Sequence, residues 1–291
     1  MACKAILELN LKMGQILQSI HTVCIASSIV ARHTQKGVPQ GITHILEKTI
    51  FNTLNKSTPK IYVHWGAYES GKSRAASNAK YWLQDHNKLV MLTHGWEFTH
   101  MRTAREWLRA WMGVPKDRAQ DKLSMFLPEN KPTVLIIDHA DLLVKRLGEK
   151  DVAEAVRELN IPALILFSSW ERALDMLKQD QCQLLGEPGL GRWHWRELAQ
   201  LYYSFPEDIR KDADTRKDEL HQCAILSGSP GILQFETYSI KNMKNPNMLR
   251  AQLINQEWEN GIRALSGEDM RGVTGRFPDK DHTFHWDRAT V

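Results

Sequence analysis

Eight consecutive residues, Gly66-Ala67-Tyr68-Glu69-Ser70-Gly71-Lys72-Ser73, fit the spacing G-x-x-x-x-G-K-[ST]. That spacing suits the binding of phosphate. Glycines let the main chain curl until its N–H groups converge on an anion, and a helix starting at Lys72 aims its positive end at the same point. Lys72 would reach the outer phosphates of a nucleotide such as ATP, and the Ser73 hydroxyl would complete a Mg²⁺ shell. Glu69 is out of place, because a carboxylate repels phosphate unless it turns away; the plain expectation is an exposed loop side chain. A second motif follows at Val134-Leu135-Ile136-Ile137-Asp138-His139-Ala140-Asp141-Leu142-Leu143. Four apolar residues ending in an aspartate predict a strand buried beside the phosphate loop, with Asp138 holding the metal's water shell.

Such residues need a scaffold of strands that end where the chemistry begins. Continuous apolar runs at 61–65, 88–93, 133–137 and 163–167 predict four strands, and 193–198 a weaker fifth. Helical patterns lie between them, near 98–112, 116–127, 151–159 and from about Trp170. Apolar strands alternating with helices predict a parallel sheet covered on both faces. After Ser204 the strand signals cease, and helices are expected over 206–226, 231–238 and 246–265. The expected fold is therefore α/β: a three-layer core with a parallel sheet, a small helical C-terminal lid and a helical N-terminal extension. The boundaries are 1–57 for the extension, 58–203 for the core, 204–266 for the lid and 267–291 for a polar tail.

Over about 58–266 the chain resembles the AAA+ ATPases, a branch of the P-loop NTPases, whose second motif commonly ends in D-E-A-D-x-L. Here it reads Asp138-His139-Ala140-Asp141-Leu142-Leu143, so His139 stands where the family places the glutamate that polarises the attacking water. The resemblance implies ATP and Mg²⁺ as ligands driving assembly or a conformational switch, with hydrolysis weak or dependent on a partner; the alternatives are a nucleotide-stabilised scaffold without turnover and a nucleic-acid-acting ATPase or loader. His139 is then a candidate base, and Asp141 a substitute base at a position that is usually structural. Ser168 and Ser169 end the next strand, where the family carries a polar residue sensing the outermost phosphate. Gly191-Arg192 looks like the family segment whose arginine reaches a neighbouring subunit's nucleotide, which implies a homo-oligomer. Ser227-Gly228-Ser229-Pro230-Gly231 resembles the segment that lies over the adenine.

Composition adds bounds. Of the 291 residues 42% are hydrophobic and 25% charged, which excludes a disordered or collagen-like chain. A net charge of +4 permits an anionic partner without demanding nucleic acid. The four cysteines, Cys3, Cys24, Cys182 and Cys223, have neither disulfide-framework nor zinc spacing, so reduced thiols in an intracellular compartment are expected. Met13–Ala31 is free of formal charge but holds seven polar side chains, too many for a spanning helix. Its apolar residues continue the spacing of Ile6 and Leu9, which describes one buried helix face able to recruit a protein partner. Trp107 and Trp111 fall on one face of a helix, and Arg102, Arg105 and Arg109 on another. A tryptophan core face explains this better than base stacking. His282 and His285, with Asp281 and Asp287, read as a polar tail rather than a metal site.

Overall fold

The computed structural model describes residues 44–56, 58–240 and 245–266. Five parallel strands form one sheet in the order β2-β3-β4-β1-β5: β1 (Ile61–Trp65), β2 (Leu89–His94), β3 (Thr133–Asp138), β4 (Ala163–Phe167) and β5 (Cys182–Leu184). β3 and β4 are buried along their whole length, as expected of strands covered on both faces. β1 carries the phosphate-loop motif at its C-terminal end. β3, which carries the acidic motif, is not its neighbour, because β4 runs between them.

Helices cover both faces. On one, α1 (Ile45–Leu54) and α2 (Lys72–Asp85) pack Leu46, Ile50, Leu54, Ala76 and Leu83 onto Val134, Ile136 and Leu164. On the other, α3 (Ala104–Met112), α4 (Ala140–Leu147), α5 (Glu149–Glu158) and α6 (Trp170–Leu177) enclose Met91, Leu135, Ile137 and Ile165. A second unit follows: α7 (Trp195–Tyr203), α8 (Glu207–Asp214), α9 (Lys217–Ser227) and α10 (Pro230–Ser239) share a core of Trp193, Leu198, Tyr202, Leu220 and Leu233. The last helix among the described residues, α11 (Met248–Ser266), returns to the sheet. Its Ala251, Ile254, Trp258 and Ile262 join the large core, and Trp258 meets Trp65 edge-on with ring centroids 4.8 Å apart. Gly261 permits this approach, since a Cβ there would lie 2.3 Å from the Trp65 ring.

Several elements depart from the sequence pattern. The aromatic run at 193–198 is not a strand but the start of α7, because His194 and Glu197 cap each other's backbone in a capping box. The fifth strand is instead Cys182–Leu184, too short to show an apolar run. The stretch 116–127 forms two 3₁₀ turns, Lys116–Arg118 and Leu123–Phe126. The helix expected over 98–112 starts only at Ala104, capped by the Thr103 hydroxyl. The stretch 206–226 divides into α8 and α9. α1 packs on the sheet although it precedes the expected core boundary. The predicted N-terminal helix and the tail histidines lie outside the described residues. No helix among the described residues is long and apolar enough to cross a membrane.

Candidate functional site

The motif of Gly66–Ser73 forms a loop from the end of β1 into α2. Gly71 is the helix N-cap, with φ 85°, a left-handed conformation that favours glycine. A Cβ on Gly71 would also lie 3.3 Å from the indole nitrogen of Trp193. At the loop's centre Lys72 Nζ donates to the carbonyls of Gly66 and Ala67, at 2.6 and 2.9 Å. The ammonium is buried, and burial lowers its pKa to about 8 against the opposing pull of Asp138, Asp141 and Glu257. A buried cation at a helix N-terminus can receive an anion, its donors taken here by the two carbonyls.

The acidic end of the site rises from β3. Asp138 is 1% exposed, and its Oδ1 accepts the His139 N–H at 2.9 Å. Its Oδ2 is buried without a hydrogen-bond partner. His139 Nε2 stands 3.5 Å from that oxygen and His94 Nδ1 3.6 Å, both beyond hydrogen-bond length. Burial alone would raise the Asp138 carboxyl; His94, Ser73 and His139 outweigh it and hold the group below the usual range. An orphaned, ionised oxygen beside the Ser73 side chain fits a divalent cation. Among the described residues no three His, Cys, Asp or Glu side chains are arranged to hold a metal by themselves, so Ser73 and the ligand's phosphates would have to complete the shell.

The other predicted residues divide. Asp141 is committed to structure: its two oxygens accept the N–H groups of Ser168 and Ser169, both at 2.8 Å. A carboxylate so occupied is a poor base. Ser169 caps α6 through its hydroxyl, which accepts from Arg172. Arg192 turns inward, donating to the Leu226 carbonyl at 2.6 Å and to the Asn255 amide oxygen. That arrangement ties α9 to α11 and does not present a finger to a neighbouring subunit. Arg105 and Arg109 likewise bond main-chain carbonyls within 118–121, while Trp107 and Trp111 are buried in the core.

Glu69 overturns the simple expectation for it. It is held with φ 63° and is only partly exposed; its carboxylate pairs with Arg250 of α11. Its carbonyl accepts from Ser229 Oγ at 2.7 Å and from the Gly231 N–H at 3.1 Å, which brings the glycine-proline segment directly onto the loop. Gly231 leaves room for this, since a Cβ there would be 2.5 Å from the Cβ of Glu69. Trp193 Nε1 donates to the Ser70 carbonyl at 3.0 Å. Three participants, Arg250, Glu257 and His94, carry no motif signal in the sequence, and Trp193 enters through its ring rather than through the arginine role expected of its segment. Glu257 faces the loop from α11, with its carboxyl raised by burial although Lys72 opposes the shift. Arg250 and Glu257 are seven residues apart, hence on one helix face, and that periodicity is the only signal they give.

No known family model matches the sequence, and no curated protein matches it. Among solved structures, the chain is similar to a component of the structure described as Drosophila ORC bound to DNA, at 13% identity and a TM-score of 0.44, covering 86% of this chain and 67% of that one. It is also similar to C. elegans PCH-2, at 10% identity and a TM-score of 0.30, covering 87% of this chain and 69% of that one. At such values the reading of the site rests on its own residues. They form an α/β fold with a loop, a buried lysine and an ionised aspartate at the C-terminal ends of parallel strands, where ligands of such sheets bind.

Proposed function

We propose that the chain is an AAA+-like nucleotide-binding protein that takes ATP with a divalent cation and uses it to drive assembly or a conformational switch. One observation carries the reading: Lys72 Nζ is buried within the loop, at the N-terminus of α2, facing Asp138. Its hydrogen bonds go to neutral carbonyls, and a triphosphate would give this ammonium a directly bonded anion. Glu69 and Ser229 make the loop continuous with the helical unit, so a ligand on the loop bears on α10 and α11 as well.

The test is Lys72→Ala in the full chain, with a non-hydrolysable ATP analogue and thermal unfolding as a control for folding. Loss of two charge-assisted phosphate contacts predicts affinity at least about 100-fold weaker in a folded variant. Unchanged affinity would refute the assignment. Sedimentation with and without the analogue tests the assembly; a monomer under both conditions removes it. A second reading is a nucleotide-stabilised scaffold without turnover. It is favoured by one observation, that Asp141 is occupied by two backbone N–H groups while His139 replaces a carboxylate. Tight binding with turnover far below the ordinary enzyme median of about 10 s⁻¹ would select it.

A further inference from the structure

We infer that His139 is a protein ligand to the divalent cation, that Asp138 Oδ2 and Ser73 Oγ bind the ion directly beside it, in place of the water-mediated role expected of Asp138, and that the imidazole nitrogen biases the site toward Mn²⁺ or Co²⁺ over Mg²⁺. The inference takes the ion's location from the phosphate-loop reading, and takes the ligand from the geometry around His139.

Asp138 Oδ1 is occupied by the His139 N–H, which leaves the buried Oδ2 as the oxygen available to a metal. His139 Nε2 lies 3.5 Å from that oxygen and 3.3 Å from Ser73 Oγ. Neighbouring ligands around a six-coordinate ion with bonds near 2.1 Å stand about 3.0 Å apart. The observed separations exceed that by only a few tenths of an ångström. The ring is 40% exposed, so it has room to close the difference. Without the ion, His139 Nε2 hydrogen-bonds Ser73 Oγ, and it lies within 3.5 Å of both oxygens proposed to take the metal.

The backbone supports the placement. His139 has φ 52° and opens α4 directly from the end of β3, a turn that sets its ring beside Ser73 and Asp138. Trp96 lies 4.5 Å from the His139 ring and 4.5 Å from the His94 ring, parallel to the latter within 2°. His94 is thereby held against Trp96 as an outer partner of Asp138, whereas His139 meets both Ser73 and Asp138. Mg²⁺ favours an all-oxygen shell, while imidazole nitrogen favours later first-row ions.

The experiment is pulsed electron paramagnetic resonance of the full chain with Mn²⁺ alone and with Mn²⁺ plus a non-hydrolysable ATP analogue. Coupling to a directly bound imidazole nitrogen is expected in the wild type, lost in His139→Asn and retained in His94→Gln. Asparagine tolerates the positive φ, so the variant keeps the backbone. The preference for Mn²⁺ over Mg²⁺ should fall on the order of tenfold in His139→Asn. Mn²⁺ bound with nucleotide but without nitrogen coupling overturns the ligation while the phosphate loop stands. Coupling that survives in His139→Asn also overturns it. A nitrogen signal with Mn²⁺ alone, from a chain that binds no nucleotide, supports the ligand and removes the nucleotide reading.

Discussion

The loop is held from two sides by different means. On the sheet side, β1 continues into it through a parallel ladder, and Gly66 N–H donates to Phe167 O at 3.1 Å. On the helical side there is no ladder. Trp193, Ser229 and Arg250 each reach across with one side chain, and Gly231 with one N–H. The sheet therefore fixes where the loop is, and the helical unit touches it only through three side chains and one N–H. A ladder must break as a whole, but single contacts can be made and released separately, which is what a sensing element requires.

The largest expected effect breaks the helical side. Trp258→Ala removes the fully buried ring that anchors α11 against Trp65 and should destabilise the chain by about 3–5 kcal/mol in urea unfolding. A loss under about 1 kcal/mol would mean that α11 docks by other contacts. Next is Asp141→Ala, which orphans two N–H groups at the sheet side; the expected loss of stability is about 2–3 kcal/mol. If stability holds while turnover vanishes, Asp141 is a base after all.

A smaller effect follows pH. The Lys72 pKa in the folded chain is about 8, below the ordinary value of about 10.4 in an unfolded chain. Between these values the unfolded chain binds more protons, so this group's contribution to stability rises with pH across the window and is least favourable below pH 8. The proposed nucleotide binding runs the other way, because phosphate needs the ammonium. Affinity should fall by up to about tenfold per unit above pH 8, and calorimetry in buffers of different ionisation heat should show proton uptake. A flat profile between pH 8 and 9.5 would contradict the burial of this lysine. The smallest effect is expected of Arg250→Ala: the Arg250–Glu69 pair is partly exposed, so stability should change by less than about 1 kcal/mol. The informative readout is nucleotide affinity, which moves only if α11 senses the loop.

The same division decides what could be read in advance. β3 and β4 are buried throughout, so their sequences are unbroken apolar runs; β5 has three residues, Cys-Gln-Leu, and no such run. α4 starts straight from the end of β3 with His139 in a left-handed turn and no side-chain cap, so nothing in the sequence marks its beginning. The turn from β1 into α2 at Gly66–Ser73 was legible because glycine spacing is demanded by backbone geometry within a few residues. Arg250 and Glu257 were not, because they reach the loop from nearly two hundred residues downstream as single side chains on a helix. Arg192 was assigned outward from its neighbours in sequence, but its guanidinium is fixed by Leu226 and Asn255, which only the fold brings near.

The strand order also sets a timetable for synthesis. Ile61 of β1 pairs with Ala163 on one side and Cys182 on the other. A nascent chain must therefore grow by roughly a hundred residues after β1 before that strand gains a partner, or about 5–20 s at ordinary translation rates. β2 and β3 are complete earlier; β1 joins only when β4 emerges and pairs with both it and β3, and β5 is added last on the other side of β1. Until then its apolar edges are open, and such pairings at long sequence separation are slow to form. A ribosome paused before residue 163 would display that edge, which makes this interval the point where a chaperone has most to protect.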